Sequence, residues 1–230
     1  MTTGRKLSAP LLGIVAISAL LTAAFHGQLH EEHPNDPMTF DCVDVSLRKS
    51  PEEFGCWTVA RRRVQRFPDG PLFWHLRKFS RRAEADGAKR TADLVVLAEG
   101  QVWLMDFGPK NAAGLPGGRV ADIGPLRLTP AASYEIMVSV AVMPPGGHSM
   151  VHTHPGPEAW YMLAGEQCLD TPAGASSAGA GRTMVVPPDT PMKLFATGSS
   201  IRRALVVVIH DATQPWMSPS NWTPPGECGQ

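Results

Sequence analysis

Gly146-Gly147-His148-Ser149-Met150-Val151-His152-Thr153-His154-Pro155-Gly156-Pro157-Glu158-Ala159-Trp160-Tyr161-Met162-Leu163-Ala164-Gly165 is the stretch that decides the fold of this chain. Side chains two apart on a strand point to the same face, so His152 and His154 present both imidazoles to one side. Pro155-Gly156-Pro157 forces a turn. Glu158 opens the returning strand, and a hairpin of this kind brings its carboxylate back beside the two rings. Two imidazoles and one carboxylate with the remaining positions open form the facial set that suits non-haem iron, and manganese or zinc less selectively. All three groups reach their metal-binding protonation states near neutral pH. Glu158, Trp160 and Met162 share strand parity, which sets Trp160 against the pocket and turns Tyr161 away.

Around this hairpin the chain reads as short strands. Residues 134–143 alternate, with Ile136, Val138, Val140 and Val142 on one face and Met137, Ser139, Ala141 and Met143 on the other. Strands are expected at 149–154, 158–164, 166–171, 183–186, 192–197 and 203–210, each bounded by Gly, Pro, Asp or Ser. With 22 Gly and 22 Pro, turns between short strands are favoured over long helices. An apolar fraction of 43% supplies a core and excludes wholesale disorder. The expected class is all-β dominated, a sandwich or barrel.

The spacing resembles that of the cupin family. Gly146, five residues, His152, one residue, His154, three residues, Glu158, six residues and Gly165 match the first cupin motif at every fixed position. Fifteen residues separate Gly165 from Gly181, similar to the short gap of microbial cupins, and Gly181 with Pro187 begins the second motif. Asp189 then stands at a glycine position, Met192 at that of the third metal-binding histidine and Ala196 at that of an asparagine. The resemblance covers residues 120–210. It implies a cupin-type double-stranded β-helix, a jelly-roll barrel, with a divalent transition metal (iron, manganese or zinc) on His152, His154 and Glu158. It implies a small-molecule ligand and, as one common activity, a metal-dependent oxidoreductase of dioxygenase type. Cupins also isomerise, decarboxylate and bind sugars, and often form homodimers through their outer sheets.

Met192 splits the expectation in two. A thioether suits copper(I) far better than iron(II), manganese or zinc. Either the three remaining ligands hold a metal with one more open position, or the metal is absent. In the second case the barrel is non-catalytic and binds a small ligand against Met192, Trp160 and Met162.

The flanks carry an address. Arg5 and Lys6 precede 19 uncharged residues, 7–25, with small residues at the end, so residues 1–24 read as a signal peptide or a membrane anchor. Ser8, Ser18 and Thr22 weaken the anchor, and an exported protein, periplasmic or secreted, is expected. Cys42, Cys56, Cys168 and Cys228 then become disulfide candidates with three pairings open. Cys42–Cys56 is the most local pair and would contribute about 3 kcal/mol in the chain-entropy model. Cys168, inside a strand, is the best candidate for a buried thiol. Residues 25–38 read as a flexible linker.

Residues 39–119 read as an N-terminal extension: a strand at 73–79, a short helix at 81–90, and a hairpin through Ala98-Glu99-Gly100-Gln101. The extension either lengthens a sheet of the main domain or packs on its mouth. His75 reads as a hydrogen-bonded core histidine, His210 as a satisfied structural one and His148 as an exposed loop residue. Ten of the 21 Lys and Arg residues lie between Arg61 and Arg90, as a solvated face or a patch for an anionic partner. Residues 211–230, with Trp216, Trp222 and four prolines, are expected to strap across the outside. Zero net charge and the lack of an aromatic RNA-reading motif argue against nucleic acid. No Ser–His–Asp order, P-loop or dinucleotide glycine pattern supports nucleophilic or nucleotide chemistry.

Overall fold

The computed structural model describes residues 1–2, 41–90, 92–111, 114 and 116–229. The expected signal segment from residue 3 onward and the whole expected linker lie outside the described residues. The chain runs β1 (Val43–Asp44), a 3-10 turn (Val45–Leu47), β2 (Gly55–Val64), β3 (Leu72–Phe79), α1 (Arg82–Ala88), β4 (Leu94–Ala98), β5 (Gln101–Gly108), β6 (Gly118–Leu126) and β7 (Tyr134–Met143). It continues through β8 (His152–Thr153), β9 (Glu158–Ala164), β10 (Glu166–Thr171), β11 (Gly174–Gly179), β12 (Thr183–Val186), β13 (Lys193–Thr197), β14 (Arg202–Asp211) and β15 (Ser218–Pro219).

A six-stranded sheet, ordered β1-β2-β7-β14-β9-β12, forms the middle layer. Its spine is the antiparallel β7–β14 ladder, unbroken from Tyr134↔Asp211 to Met143↔Arg202. Val and Ile dominate both strands, where a pleated surface suits their branched side chains. The strand alternation sorts these residues cleanly. Ile136, Val138, Val140, Val142, Leu205 and Val207 join Trp74, Leu76, Trp103 and Met105 of the sheet β4-β5-β3-β6 in one apolar cluster. Met143, Trp160, Met162 and Val206 join Leu169 and Ala178 of the sheet β11-β10-β13, with its Leu194 and Ala196, in a second. The middle sheet is therefore dry on both faces.

The N-terminal extension does two things. β2 adds a strand to the middle sheet beside β7, while β3, β4 and β5 cover the sheet's outer face. β6 crosses the expected boundary at 119/120 and pairs with β3. The small sheet is extended by an irregular run before β8: Gly146 N–H donates to the Ala196 carbonyl at 2.9 Å, and Ser149 N–H to that of Leu194 at 2.8 Å. Among the described strands the two sheets that flank the second cluster stay separate, so the jelly roll is two facing sheets rather than a closed ring.

Two glycines of the decisive stretch are sterically required. A Cβ on Gly156 would sit 1.8 Å from the Ile209 carbonyl oxygen, because the Pro-Gly-Pro turn rides directly on β14. Gly165 has φ +66, and a Cβ there would meet the Ile201 oxygen at 2.6 Å.

Two disulfides are formed. Cys42–Cys56 is the expected local pair, with 14 residues of separation. Cys168–Cys228, separated by 60, corrects the expectation that Cys168 stays a thiol: the C-terminal 3-10 turn Glu227–Gly229 folds back onto β10. Cys228 N–H donates to Asp170 Oδ1 at 3.3 Å beside the bridge. The tail is thereby tied to the small sheet.

Replacing Cys228 with Ser should lower unfolding free energy by about 4 kcal/mol, against about 3 kcal/mol for Cys42→Ser, since the longer loop regains more chain entropy. Urea melts of the two variants check the order. Gly156→Ala should cost about 1–3 kcal/mol or more through the backbone clash, read in the same melts.

Candidate metal centre

His152 and His154 leave β8 on either side of Thr153, and Glu158 opens β9, in register with Val186 and Val208. All three are buried. Their candidate ligand atoms lie within 4.8 Å of one another. The imidazole rings stand edge to face, centroids 4.9 Å apart.

Each ring is oriented by a backbone carbonyl. His152 Nδ1 is 2.9 Å from the Met150 oxygen, and His154 Nδ1 is 2.7 Å from the Trp216 oxygen. A carbonyl only accepts, so Nδ1 carries the hydrogen in both rings. In the neutral imidazole that leaves the lone pair on Nε2. His154 Nε2 faces Glu158 Oε2 at 2.9 Å, yet the approach lacks hydrogen-bond geometry and both atoms are buried without a hydrogen-bond partner. A lone pair and a carboxylate held face to face repel unless a proton or cation lies between them. The donor set therefore fits a bound cation, and orienting bonds of this kind are typical support for histidine ligands.

Burial pushes the His152 pKa down, and the nearby Glu158 charge only partly opposes it. Burial also works against a charged His154. There the Glu158 charge, the Glu158 contact and the Trp216 carbonyl together outweigh it, and the pKa is raised. Of the two rings, His154 is therefore the one more readily protonated, and a metal would compete with that proton for Nε2.

The three ligands open onto a cavity of about 50 Å³ between the middle and small sheets. Trp160 and Met192 line it. Met162 does not: it packs in the same cluster but is not among the lining residues. Met192 is bridged to His152 across the two segments and is 1% exposed, so the position of the family's third histidine is filled by an inward thioether. The tail is more than an outer strap. β15 pairs with β8, and Trp216 and Met217 line the cavity. The Cys42–Cys56 bridge lines it as well.

Three polar lining residues, Arg202, Ser139 and Ser149, were not singled out from sequence. Arg202 is 1% exposed, with Nε donating to Gln167 Oε1 at 2.9 Å and Nη1 to the Ala141 carbonyl at 3.2 Å. Burial pushes its pKa down to about 10, against the pull of the Glu158 charge. Strand parity could have found it, since Arg202 alternates with the outer-facing Leu205 and Val207. Ser139 already stood on the face with Met137, Ala141 and Met143, all of which line the cavity.

The remaining histidines among the described residues lie outside this triad. His75 is buried and bonded through Nδ1 to Asp122 and through Nε2 to the Pro109 carbonyl. His210 is satisfied at Nδ1 by the Asp211 carbonyl, while Nε2 has no hydrogen-bond partner, short of the full satisfaction expected. His148 is half-buried against Phe195 rather than exposed. Much of the basic run is internally paired: Arg61 and Arg63 meet Glu135, Arg81 meets Glu84, and Arg82 and Lys89 meet Asp86.

No protein-family model matches this sequence, and no curated protein matches it. Solved structures resemble parts of it. A cupin superfamily protein from Desulfitobacterium hafniense is 14% identical over 33% of this chain and 68% of its own, with a TM-score of 0.31. A DMSP lyase from Ruegeria pomeroyi is 25% identical over 40% of this chain and 45% of its own, with a TM-score of 0.34. A double-stranded β-helix protein from Klebsiella pneumoniae is 17% identical over 44% of this chain and 80% of its own, with a TM-score of 0.34. This chain spans less than half of the lyase. The expected hairpin is not formed: β8, with His152, pairs with β15, while β9, opened by Glu158, lies between β14 and β12, and the Pro155–Pro157 turn alone joins them within an all-β fold of the cupin double-stranded β-helix type.

Proposed function

We propose that this is an exported cupin protein in which His152, His154 and Glu158 hold one divalent transition metal, and that it acts as an oxidoreductase of dioxygenase type on a small organic molecule. One observation carries the reading: both imidazoles are fixed by Nδ1–H bonds to carbonyls, which aims two Nε2 lone pairs and a carboxylate at a common point. A bound ion would supply Lewis acidity there and, were it iron, oxygen activation at the open positions of a facial triad. The chain's own part is to orient the two rings, to disfavour protonation of His152 by burial, and to exclude water with Trp160, Met192, Trp216 and Met217. The two disulfides support export, since such bonds persist in oxidising compartments.

Met192 favours a second reading, a barrel that binds a small ligand without metal. With no third imidazole, the His154–Glu158 contact can close on a proton instead.

Elemental analysis of the purified full-length protein separates the two. Close to one transition metal per chain is expected, lost in His152→Ala and Glu158→Ala while their circular dichroism stays that of the parent. A folded wild-type protein that carries no metal and refuses added iron, manganese, zinc and copper ends the metal reading. Met192→His should restore a third imidazole and raise zinc or manganese affinity in chelator competition; unchanged affinity would mean that position 192 does not reach the ion.

A further inference from the structure

We infer that the cavity selects a small organic carboxylate, with the Arg202 guanidinium as the group that receives it. The inference rests on the reading of this cavity as a ligand site and names the ligand's class. Arg202 lines the cavity and is 1% exposed, yet among the described residues no carboxylate lies within ion-pair distance of it. A buried cation is ordinarily paired. Its partners here are all neutral: Gln167 Oε1, which takes N–H groups from both Nε and Nη2, and the Ala141 carbonyl, which takes one from Nη1. Three of the five guanidinium N–H groups are used, which leaves one on each terminal nitrogen.

An unpartnered hydroxyl lies on the rungs between Arg202 and Glu158. Ser139 Oγ is fully buried, lines the cavity and has no hydrogen-bond partner. Strand register orders the polar groups. Met137, Val208 and Glu158 share a rung, Ser139, Val206 and Trp160 share one two residues further on, and Ala141 with Ala204 and Met162 the next. Arg202 enters from the Met143 rung and reaches back to the Ala141 carbonyl. Successive same-face rungs are about 6.8 Å apart, so the cavity is polar at both ends and carries a hydroxyl midway.

Charge and size narrow the ligand. With a divalent ion in place, Glu158 cancels one of its charges and Arg202 adds another, so the interior is left positive and favours an anion. A guanidinium fork matches a carboxylate's two oxygens. A volume of about 50 Å³ has room for only a few water-sized groups, hence for an acid of a few carbon atoms. Met137, Met143 and Val206 supply apolar walls for its carbons.

The test titrates full-length protein, as purified and after metal depletion, by calorimetry. The probes are acetate, lactate and malonate, their amides, and inorganic phosphate. At least one carboxylate should bind about tenfold more tightly than its amide. Arg202→Met should abolish that preference without changing metal content. Ser139→Ala, which leaves the guanidinium in place, should weaken the same carboxylate several-fold. Carboxylates no better than amides, phosphate as tight as any carboxylate, or an Arg202→Met protein that keeps its preference each overturn the inference; should Arg202→Met not fold, an unaltered Ser139→Ala affinity does so. Metal content measured on the same samples separates this from the metal reading. A metal-free protein that still prefers carboxylates sinks the metal and keeps Arg202, whereas a metal-loaded protein with no preference does the reverse.

Discussion

The β7–β14 ladder must be dry on both faces, and the rest of the molecule follows from that constraint. A two-strand spine of Val, Ile, Leu and Met cannot stop at one packed layer, because burying each such side chain contributes about 1.5–3 kcal/mol that exposure would forfeit. The middle sheet therefore carries a second sheet on either side. The four-stranded sheet supplies large side chains, Trp74, Leu76 and Trp103, to its interface. The small sheet meets the other face with shorter residues such as Ala178 and Ala196, and there a cavity remains. The candidate site sits on that face.

That placement makes the polar groups expensive. His152, His154, Glu158, Ser139 and Arg202 are all buried on one side of a sheet that is otherwise apolar. Several of their atoms lack partners in the folded chain, while the backbone around them is well bonded. Local departures from full satisfaction inside an otherwise consistent fold are where binding sites are found, since stability is given up there and nowhere else. The two Nδ1–carbonyl bonds show the same economy: each ring is held by main chain, which no side-chain substitution can remove.

Much of this was legible in the sequence because it depended on short-range spacing. The parity of residues 134–143, the His-x-His pair and the Pro-Gly-Pro reversal are local, and strands 158–164, 166–171 and 183–186 came out with their observed bounds. Strand β2 was missed because Arg61, Arg62 and Arg63 break its alternation; Glu135 on the neighbouring strand answers two of those charges. Strand β11, Gly-Ala-Ser-Ser-Ala-Gly, has no branched or aromatic residue to announce it. The Cys168–Cys228 bond, the Trp216 carbonyl and the Gln167 amide under Arg202 are long-range meetings, and no window of sequence contains both partners. Met162 shows the limit of parity: it fixes which face a side chain takes, not how far along that face the cavity extends.

Trp216 has a consequence in time as well as in space. The ribosome makes His152, His154 and Glu158 well before it makes the Trp216 carbonyl that steadies His154, or Cys228, whose bridge ties the residues beyond it to β10. A nascent or truncated polypeptide thus owns every liganding side chain but not the finished geometry. Completion of the pocket therefore waits until residue 216 has been made and has reached β8 through the β15 pairing.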